Sequence, residues 1–439
     1  MNVLYLAHRV PYPPDKGDKL RAFRQIERLS KRHRVWCACF VDAPSDFRHV
    51  VGLREFCEDV AAVELRPMFA KARGLWTMIR GGTITEGFYQ SCEMYEVLRR
   101  WTSAIRFDAV VAFSSSMAGY ALGVPAPRRV LDLCDRDSQK WLDYADRTRG
   151  VVGRVFRTEG ARLAVRELRW IDAFDAAILI TENEAATLRE FVASRKLQIV
   201  GNGAALPPLQ PTQAALRPTV GFVGVMDYLP NVDAVSWFTR ECWPMVLSVH
   251  PAAVFRIIGR SPVRSVRGLG RLSGVQVVGG VDDVAAELHR FDVSVAPLRI
   301  ARGIQNKVLE AMAAAKPVVL TSGAAAGIGA ENGRDYLVHD TSEEMAGAVR
   351  DLLGDASERQ RIGNAARRFV AEHHRWDEHM DAFELLVTGP LERSTPPTAK
   401  RPEPMVLHVQ AERRGGAGEP AASREMVVDR GSSLYLTSL

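Results

Sequence analysis

The chain has 439 residues, 47% of them hydrophobic and 25% charged, with a formal net charge of +6. That length allows two domains, or three, each with a sizeable core. The mild basic excess suits anionic substrates or a membrane surface and is too weak to single out nucleic acid, which is not expected as a partner.

The six cysteines form no C-x-x-C pair. Cys37 and Cys39 alternate within VWCACFV and so share one face of a strand, where core thiols are expected rather than a metal site. This usage fits a reducing cytosol. The start MNVLYLAHRVPYPP lacks the charged region and cleavage site of a signal peptide, and no apolar run reaches the ~18–20 residues of a spanning helix. A cytoplasmic protein, soluble or peripheral to the membrane, is the expectation.

Taken in order, MNVLYLA, RVWCACF, DAVVAFS, RRVLDLC and DAAILIT read as buried strands. A proline-rich break, PPLQPTQAALRP at 207–218, separates them from a second series: TVGFVGV, AVFRIIG, VQVVGG, DVSVAPL and KPVVLTS. Helical patterns lie between the members of both series. Such alternation predicts two α/β domains of doubly wound, Rossmann-like type facing a central cleft. SERQRIGNAARRFVAEHHRWDEHMDAFELLV predicts one long amphipathic helix or two. Beyond Pro390 the chain is rich in Pro, Gly and charge without a sustained period, and a disordered tail is expected.

Four stretches carry chemistry. Pro13 to Arg21 (PPDKGDKLR) follows the first strand and opens a helix, where open α/β sheets bind ligands. Gly17 would let the backbone approach a phosphate, with Asp18, Lys19 and Arg21 beside it. It is not G-x-G-x-x-G, which disfavours a dehydrogenase. Asp132, Asp135 and Asp137 cluster after RRVLDLC. Capping by Asp137 or Ser138 explains one of them, a base or a sugar-orienting group another, and the spacing also admits Mg²⁺. Gly224 and Gly259 each end a strand, and Arg260 follows the second. Finally, RGIQNKVLEAMAAAKPVVLT (302–321) places Arg302, Gly303, Gln305 and Asn306 before Lys307 and Glu310. Lys307 suits a phosphate oxygen and Glu310 a ribose diol, at a helix start that favours anions. A surface salt bridge between the two is the plainer alternative. Asn202-Gly203, by itself, reads as a turn.

In the order of these motifs the chain resembles the family-4 retaining glycosyltransferases, which have the GT-B fold, from about residue 1 to about residue 388. LEAMAAAKPVV looks like the family's EAMA-x-G-x-PVV signature. PYPPDKGDKLR, the DxDSQKW segment and GIQNKVLEAMA look most like sugar transferases associated with exopolysaccharide and exosortase gene clusters. The resemblance implies transfer of a sugar from a nucleotide-diphosphate donor to a glycan or lipid-linked acceptor, with retained configuration and with neither metal nor cofactor. It implies an acceptor-side domain at 1–206, a linker at 207–218, a nucleotide-sugar domain at 219–372, a helix at 373–389 crossing back to the first domain, and the tail at 390–439. Glu310 matches the ribose-binding glutamate and Gly17 the glycine facing the diphosphate. Lys307 or Arg302 would balance leaving-group charge, Asp135 would position acceptor or donor sugar, and Asp18, Lys19, Arg21, Gly224, Arg260, Gly303, Gln305 and Asn306 would complete the donor site.

Four positions depart from the pattern. Arg302 stands about where a first glutamate is usual, Val225 and Asn231 occupy the region of the usual Arg and Lys, and Cys134 or Asp135 replaces the usual His. A sugar-nucleotide epimerase on the same fold and a non-catalytic nucleotide-sugar binder are the alternatives. RPMFAKARGLWTMIRGG at 66–82 is basic and partly apolar. A core helix with solvated lysines is the preferred reading, and peripheral contact with the inner membrane is the alternative that composition allows.

Overall fold

The computed structural model describes residues 1–14, 17–209, 217–301 and 303–389, and three short strands beyond them. Met1–Gly389 form one compact unit. Its first sheet contains β1 (Asn2–Ala7), β2 (Arg34–Val41), β3 (Asp59–Glu64), β4 (Ala109–Phe113), β5 (Arg128–Cys134), β6 (Ala176–Leu179) and β7 (Leu197–Ile199), in the order β3-β2-β1-β4-β5-β6-β7. The second contains β8 (Thr219–Val223), β9 (Val254–Ile258), β10 (Val275–Gly279), β11 (Val293–Ala296), β12 (Val318–Leu320) and β13 (Leu337–Val338), in the order β10-β9-β8-β11-β12-β13. All pairings within both sheets are parallel. Parallel strands are covered on both faces, so they read as continuous apolar runs. β1 and β4 are buried almost throughout. This is the α/β, two-sheet architecture expected.

The strands absent from the sequence reading are β3, β7 and β13. All lie at or next to sheet edges, and β7 and β13 have only three and two residues. An edge strand buries less, and its apolar run is correspondingly weak.

The C-terminal helical stretch is two helices, Ala356–His373 and Trp376–Thr388. The second packs against the Gly17–Ser30 helix and against β4 and β5 of the first sheet. Trp376, Met380, Phe383 and Val387 join that sheet's apolar core. Arg28 Nε and His33 Nε2 meet the Glu384 carboxylate at 2.6 and 3.1 Å, and Arg128 Nε donates to the Leu386 carbonyl at 2.8 Å.

The chain therefore passes between the sheets twice, and the two passages touch. Ala204 N–H donates to the His374 carbonyl at 2.9 Å, and Ala204 and Arg375 form a parallel bridge. The buried His374 ring places Nδ1 3.0 Å from the Asn202 carbonyl and Nε2 3.0 Å from the Ile328 carbonyl. Gly203 has no room for a side chain, because a Cβ there would lie 2.5 Å from the Trp376 amide.

The tail beyond Gly389 is a separate unit. Its described residues are three antiparallel strands, β14 (Met405–Val409), β15 (Arg424–Val428) and β16 (Leu434–Tyr435). The expectation of a tail without structure did not include them. MVLHV and REMVV are short β-favouring runs inside a Pro- and Gly-rich composition.

Candidate functional site

The C-terminal ends of both sets of parallel strands face a common crevice, where ligands bind in open α/β sheets. On the first-domain side, most charges are already consumed. Arg21 is buried. Its Nε meets Asp132 at 2.9 Å, and its Nη1 donates to the Gly201 carbonyl and to Asn202 Oδ1, both at 2.9 Å. Gln25 Nε2 donates to the same Asp132 carboxylate, and the Tyr5 hydroxyl donates to Gln25. Lys19 is also buried, with Nζ 3.4 Å from Asp46. Asp18 is held by Arg9 at 3.1 Å, with His8 Nε2 at 3.6 Å, and accepts from the Lys19 amide at 3.0 Å. Burial pushes its carboxyl upward, but the hydrogen bond from His8 and the charges of Arg9 and His8 outweigh that and hold it well below the usual range. Three of the expected donor-site residues, Asp18, Lys19 and Arg21, thus already have protein partners, although Arg21 Nη2 is buried with no hydrogen-bond partner among the described residues. The helix turns their side chains toward protein partners that lie far away in sequence. Gly17 stays at the mouth, where a Cβ would lie 3.0 Å from Asn306 Nδ2.

At the exit of β5, Cys134 adopts a positive φ of 58°. Asp135 follows, and its buried Oδ1 has no hydrogen-bond partner among the described residues. Burial, and then the charge of Asp137, push its carboxyl up to about 6. Glu184, beyond β6, is pushed up to about 7 by burial and then by Asp135. The neighbouring acids are otherwise engaged. Asp137 accepts from the Ser115 hydroxyl at 2.5 Å, and Asp132 is paired with Arg21. Neither Asp137 nor Ser138 caps the Asp137–Arg147 helix. Glu167, from the Gly150–Ala173 helix, accepts from the Ser138 amide at 2.9 Å instead. The D-x-x-D-x-D run does not converge, and no group among the described residues has metal-holding geometry.

On the second-domain side, Gly224 and Gly259 meet back to back. A Cβ at Gly259, which has a φ of 155°, would collide with the Gly224 carbonyl. Met226 N–H donates to the Arg260 carbonyl at 2.9 Å, so the exits of β8 and β9 are tied together. The Asn306–Ala313 helix buries Val308, Leu309, Ala311, Met312 and Ala313 against that sheet. Gln305 precedes it, and no side chain caps its start. Lys307 Nζ donates to Asn231 Oδ1 and lies 4.9 Å from the Phe222 ring centre. Burial pushes the ammonium down to about 8, with Glu310 opposing. Burial pushes Glu310 up to about 7, with Lys307 opposing. Among the described residues no ion pair joins the two, so the salt-bridge alternative does not hold, and the Glu310 carboxylate accepts no hydrogen bond.

The two sides meet at the helix start. Asn202 Nδ2 donates to Asn306 Oδ1 at 3.0 Å, extending the Asp132–Arg21 pair through Asn202 into the second domain. Gly303, at φ 59°, lies against Asp135, and a Cβ there would strike the carboxylate. Gly17, Asp135, Gly303 and Asn306 are therefore together. Lys307 and Glu310 lie along the same helix, Lys307 over the β8 side of the crevice with Phe222 and Asn231. Arg302 lies outside the described residues.

The sequence reading missed four residues. His8 stacks on Phe113 at 5.9 Å and leaves Nδ1 buried without a hydrogen-bond partner among the described residues. Arg9 holds Asp18. Tyr228 is raised by burial and then by Tyr144 and Asp135. Asn202 looked like a turn and is a bridge. A histidine directly after a first strand was the one local signal available.

Residues 217–355 match the family described as Glycosyl transferases group 1. No curated protein matches the chain. Among solved structures, sucrose-phosphate synthase from Thermosynechococcus elongatus is 16% identical, with a TM-score of 0.63 over 88% of this chain and 98% of that one. HepE from Anabaena, in complex with UDP and glucose, is 13% identical, with a TM-score of 0.63 over 89% and 100%. WaaG, a glycosyltransferase involved in lipopolysaccharide biosynthesis, is 16% identical, with a TM-score of 0.60 over 88% and 100%. The two-sheet unit accordingly has the GT-B fold, and the match to the glycosyl transferases group 1 family falls on its second half.

Proposed function

We propose that the protein is a retaining, metal-independent hexosyltransferase that moves a sugar from a nucleoside-diphosphate donor to a glycan or lipid-linked acceptor. The setting would be exopolysaccharide or other cell-surface glycan synthesis at the cytoplasmic face of the membrane. The observation that carries this reading is the start of the Asn306 helix. There an ammonium and a carboxylate share one face of the crevice, both shifted toward neutrality by burial and neither paired with the other.

A ribose diol offers two donors to Glu310. A diphosphate would restore the full charge of Lys307 and receive the open amides of the helix start. In transfer, the bond from the anomeric carbon to the phosphate oxygen breaks, one to the acceptor oxygen forms on the same face, and the acceptor hydroxyl's proton passes to the departing phosphate oxygen. Lys307 stabilises the negative charge left on the diphosphate. Asp135, ionised above about pH 6, accepts the hydrogen bond of a sugar or acceptor hydroxyl and fixes its direction. Structures of HepE with UDP-glucose make uridine the first base to test.

A second reading, binding of a nucleotide sugar without transfer, draws on Cys134, which with Asp135 occupies the place where the family carries a histidine.

The test is a thermal-shift series with UDP, GDP, ADP and their sugars on the wild type and on Glu310→Ala. One nucleotide series should raise the melting temperature of the wild type and not of the variant. No shift with any of them would overturn the reading. A shift without hydrolysis or transfer, over a panel of acceptors, would favour the binder.

A further inference from the structure

The Pro67–Ile79 helix is amphipathic the wrong way round for a core helix. It buries its small residues, Ala70 and Gly74, and leaves Met68, Phe69, Leu75, Trp76 and Ile79 between 52% and 84% exposed. Its packing against the Ile84–Tyr89 helix is complete without them. A Cβ at Gly74 would lie 2.9 Å from the Ile84 carbonyl, and Arg73 ties the pair by donating to the Gly87 and Phe88 carbonyls at 2.7 and 2.9 Å.

At 100° per residue the five large side chains fall on one arc of the helix, with Lys71 along one border and Arg80 along the other. The Arg80 guanidinium lies 4.7 Å from the Trp76 ring centre. From Leu65 to Thr85 there are four basic residues and no acidic one. An apolar stripe bordered by cations, with an aromatic ring at the border, fits the boundary between acyl chains and anionic headgroups. No helix among the described residues is long and apolar enough to cross a membrane, so contact through this stripe would be lateral.

The two-helix segment ends at Tyr89, whose ring stands edge-on to His8 at 6.2 Å, at the exit of β1.

We infer that the exposed face of the Pro67–Ile79 helix docks the protein on an anionic lipid bilayer. Charge selects that occupant over a second copy of the chain, because a symmetric pairing would set the bordering cations of two helices against each other. The inference does not depend on glycosyl transfer, since docking is read without turnover.

The experiment is co-sedimentation of the full chain with phosphatidylglycerol–phosphatidylcholine vesicles and with pure phosphatidylcholine vesicles, at low and high salt. It includes the variants Phe69→Ser/Trp76→Ser/Ile79→Ser and Lys71→Gln/Arg80→Gln. The wild type should pellet with the anionic vesicles, less so at high salt. The triple variant should lose roughly tenfold or more in partitioning, since each change withdraws an apolar group from the interface. The double variant should lose the preference for anionic lipid. Melting curves of both variants, matching that of the wild type, show that they are folded. No pelleting with anionic vesicles, or equal pelleting of the triple variant, would overturn the inference. So would a wild-type dimer in solution that the triple variant dissolves.

Discussion

Two helices open onto the crevice, and each brings a carboxylate and cations into its first turns. In the Gly17–Ser30 helix, Asp18, Lys19 and Arg21 are all matched by protein groups, and Arg21 is fully buried. In the Asn306–Ala313 helix, Lys307 has only a neutral amide and an aromatic face, and Glu310 has no hydrogen bond among the described residues. The first arrangement has a protein partner for each charge and leaves only Arg21 Nη2 without a hydrogen bond among the described residues. The second keeps two groups that burial pushes toward neutrality, which is where the proposed donor would supply the partners. Charge near a helix start is thus a poor guide to binding. What separates the two helices is whether the fold already supplies the partners.

Substitution can break or sharpen this contrast. Arg21→Met should cost stability most, roughly 3–5 kcal/mol, because it strands Asp132 without its cation in the core. Denaturant titration checks this, and a loss below 1 kcal/mol would mean that the pair is not a structural tie. Lys307→Ala should leave stability nearly unchanged, or improved, and lower the transfer rate roughly 10²–10³-fold, the range for one lost charge-stabilising donor. Steady-state kinetics with the donor found by thermal shift reads this, and an unchanged rate would move the leaving-group role elsewhere.

Glu310→Gln should weaken donor binding roughly ten- to hundredfold, as expected for lost hydrogen bonds to a charged group. It has a second consequence with a definite sign. Glu310 titrates near 7 in the folded chain against an ordinary 4.5, so the folded state holds the extra proton between those values. Stability from this group is therefore fully present below about pH 4.5 and is lost as pH rises through 7. At pH 8, without donor, Glu310→Gln should melt a few degrees above the wild type, and at pH 4 the difference should vanish. A variant less stable at pH 8 would show that Glu310 has a structural partner. The smallest effect belongs to Lys19→Met. Donor affinity measured by calorimetry should not change, because Lys19 faces Asp46, and a clear loss would return Lys19 to the donor site.

The sequence made the architecture legible because parallel strands buried on both faces leave unbroken apolar runs, and ten of these could be read directly. β3 and β13 escaped because an edge has less to bury, and β7 because three residues set no period. The Lys307–Glu310 helix was legible through its spacing and its place after a strand. Arg21 was not, since its side of the helix is fixed by Asp132, Gly201 and Asn202, all more than a hundred residues away. His8 was missed for a related reason. One histidine has no period, and its surroundings exist only after Phe113 and Tyr89 arrive.

The two side-by-side passages between the sheets carry one last implication. Twisting one half against the other would shear the Ala204–Arg375 bridge and pull His374 from the carbonyls of Asn202 and Ile328. Flexing about the line of that bridge disturbs neither. The two passages thus act as a double seam that resists twist more than it resists bending along its own line.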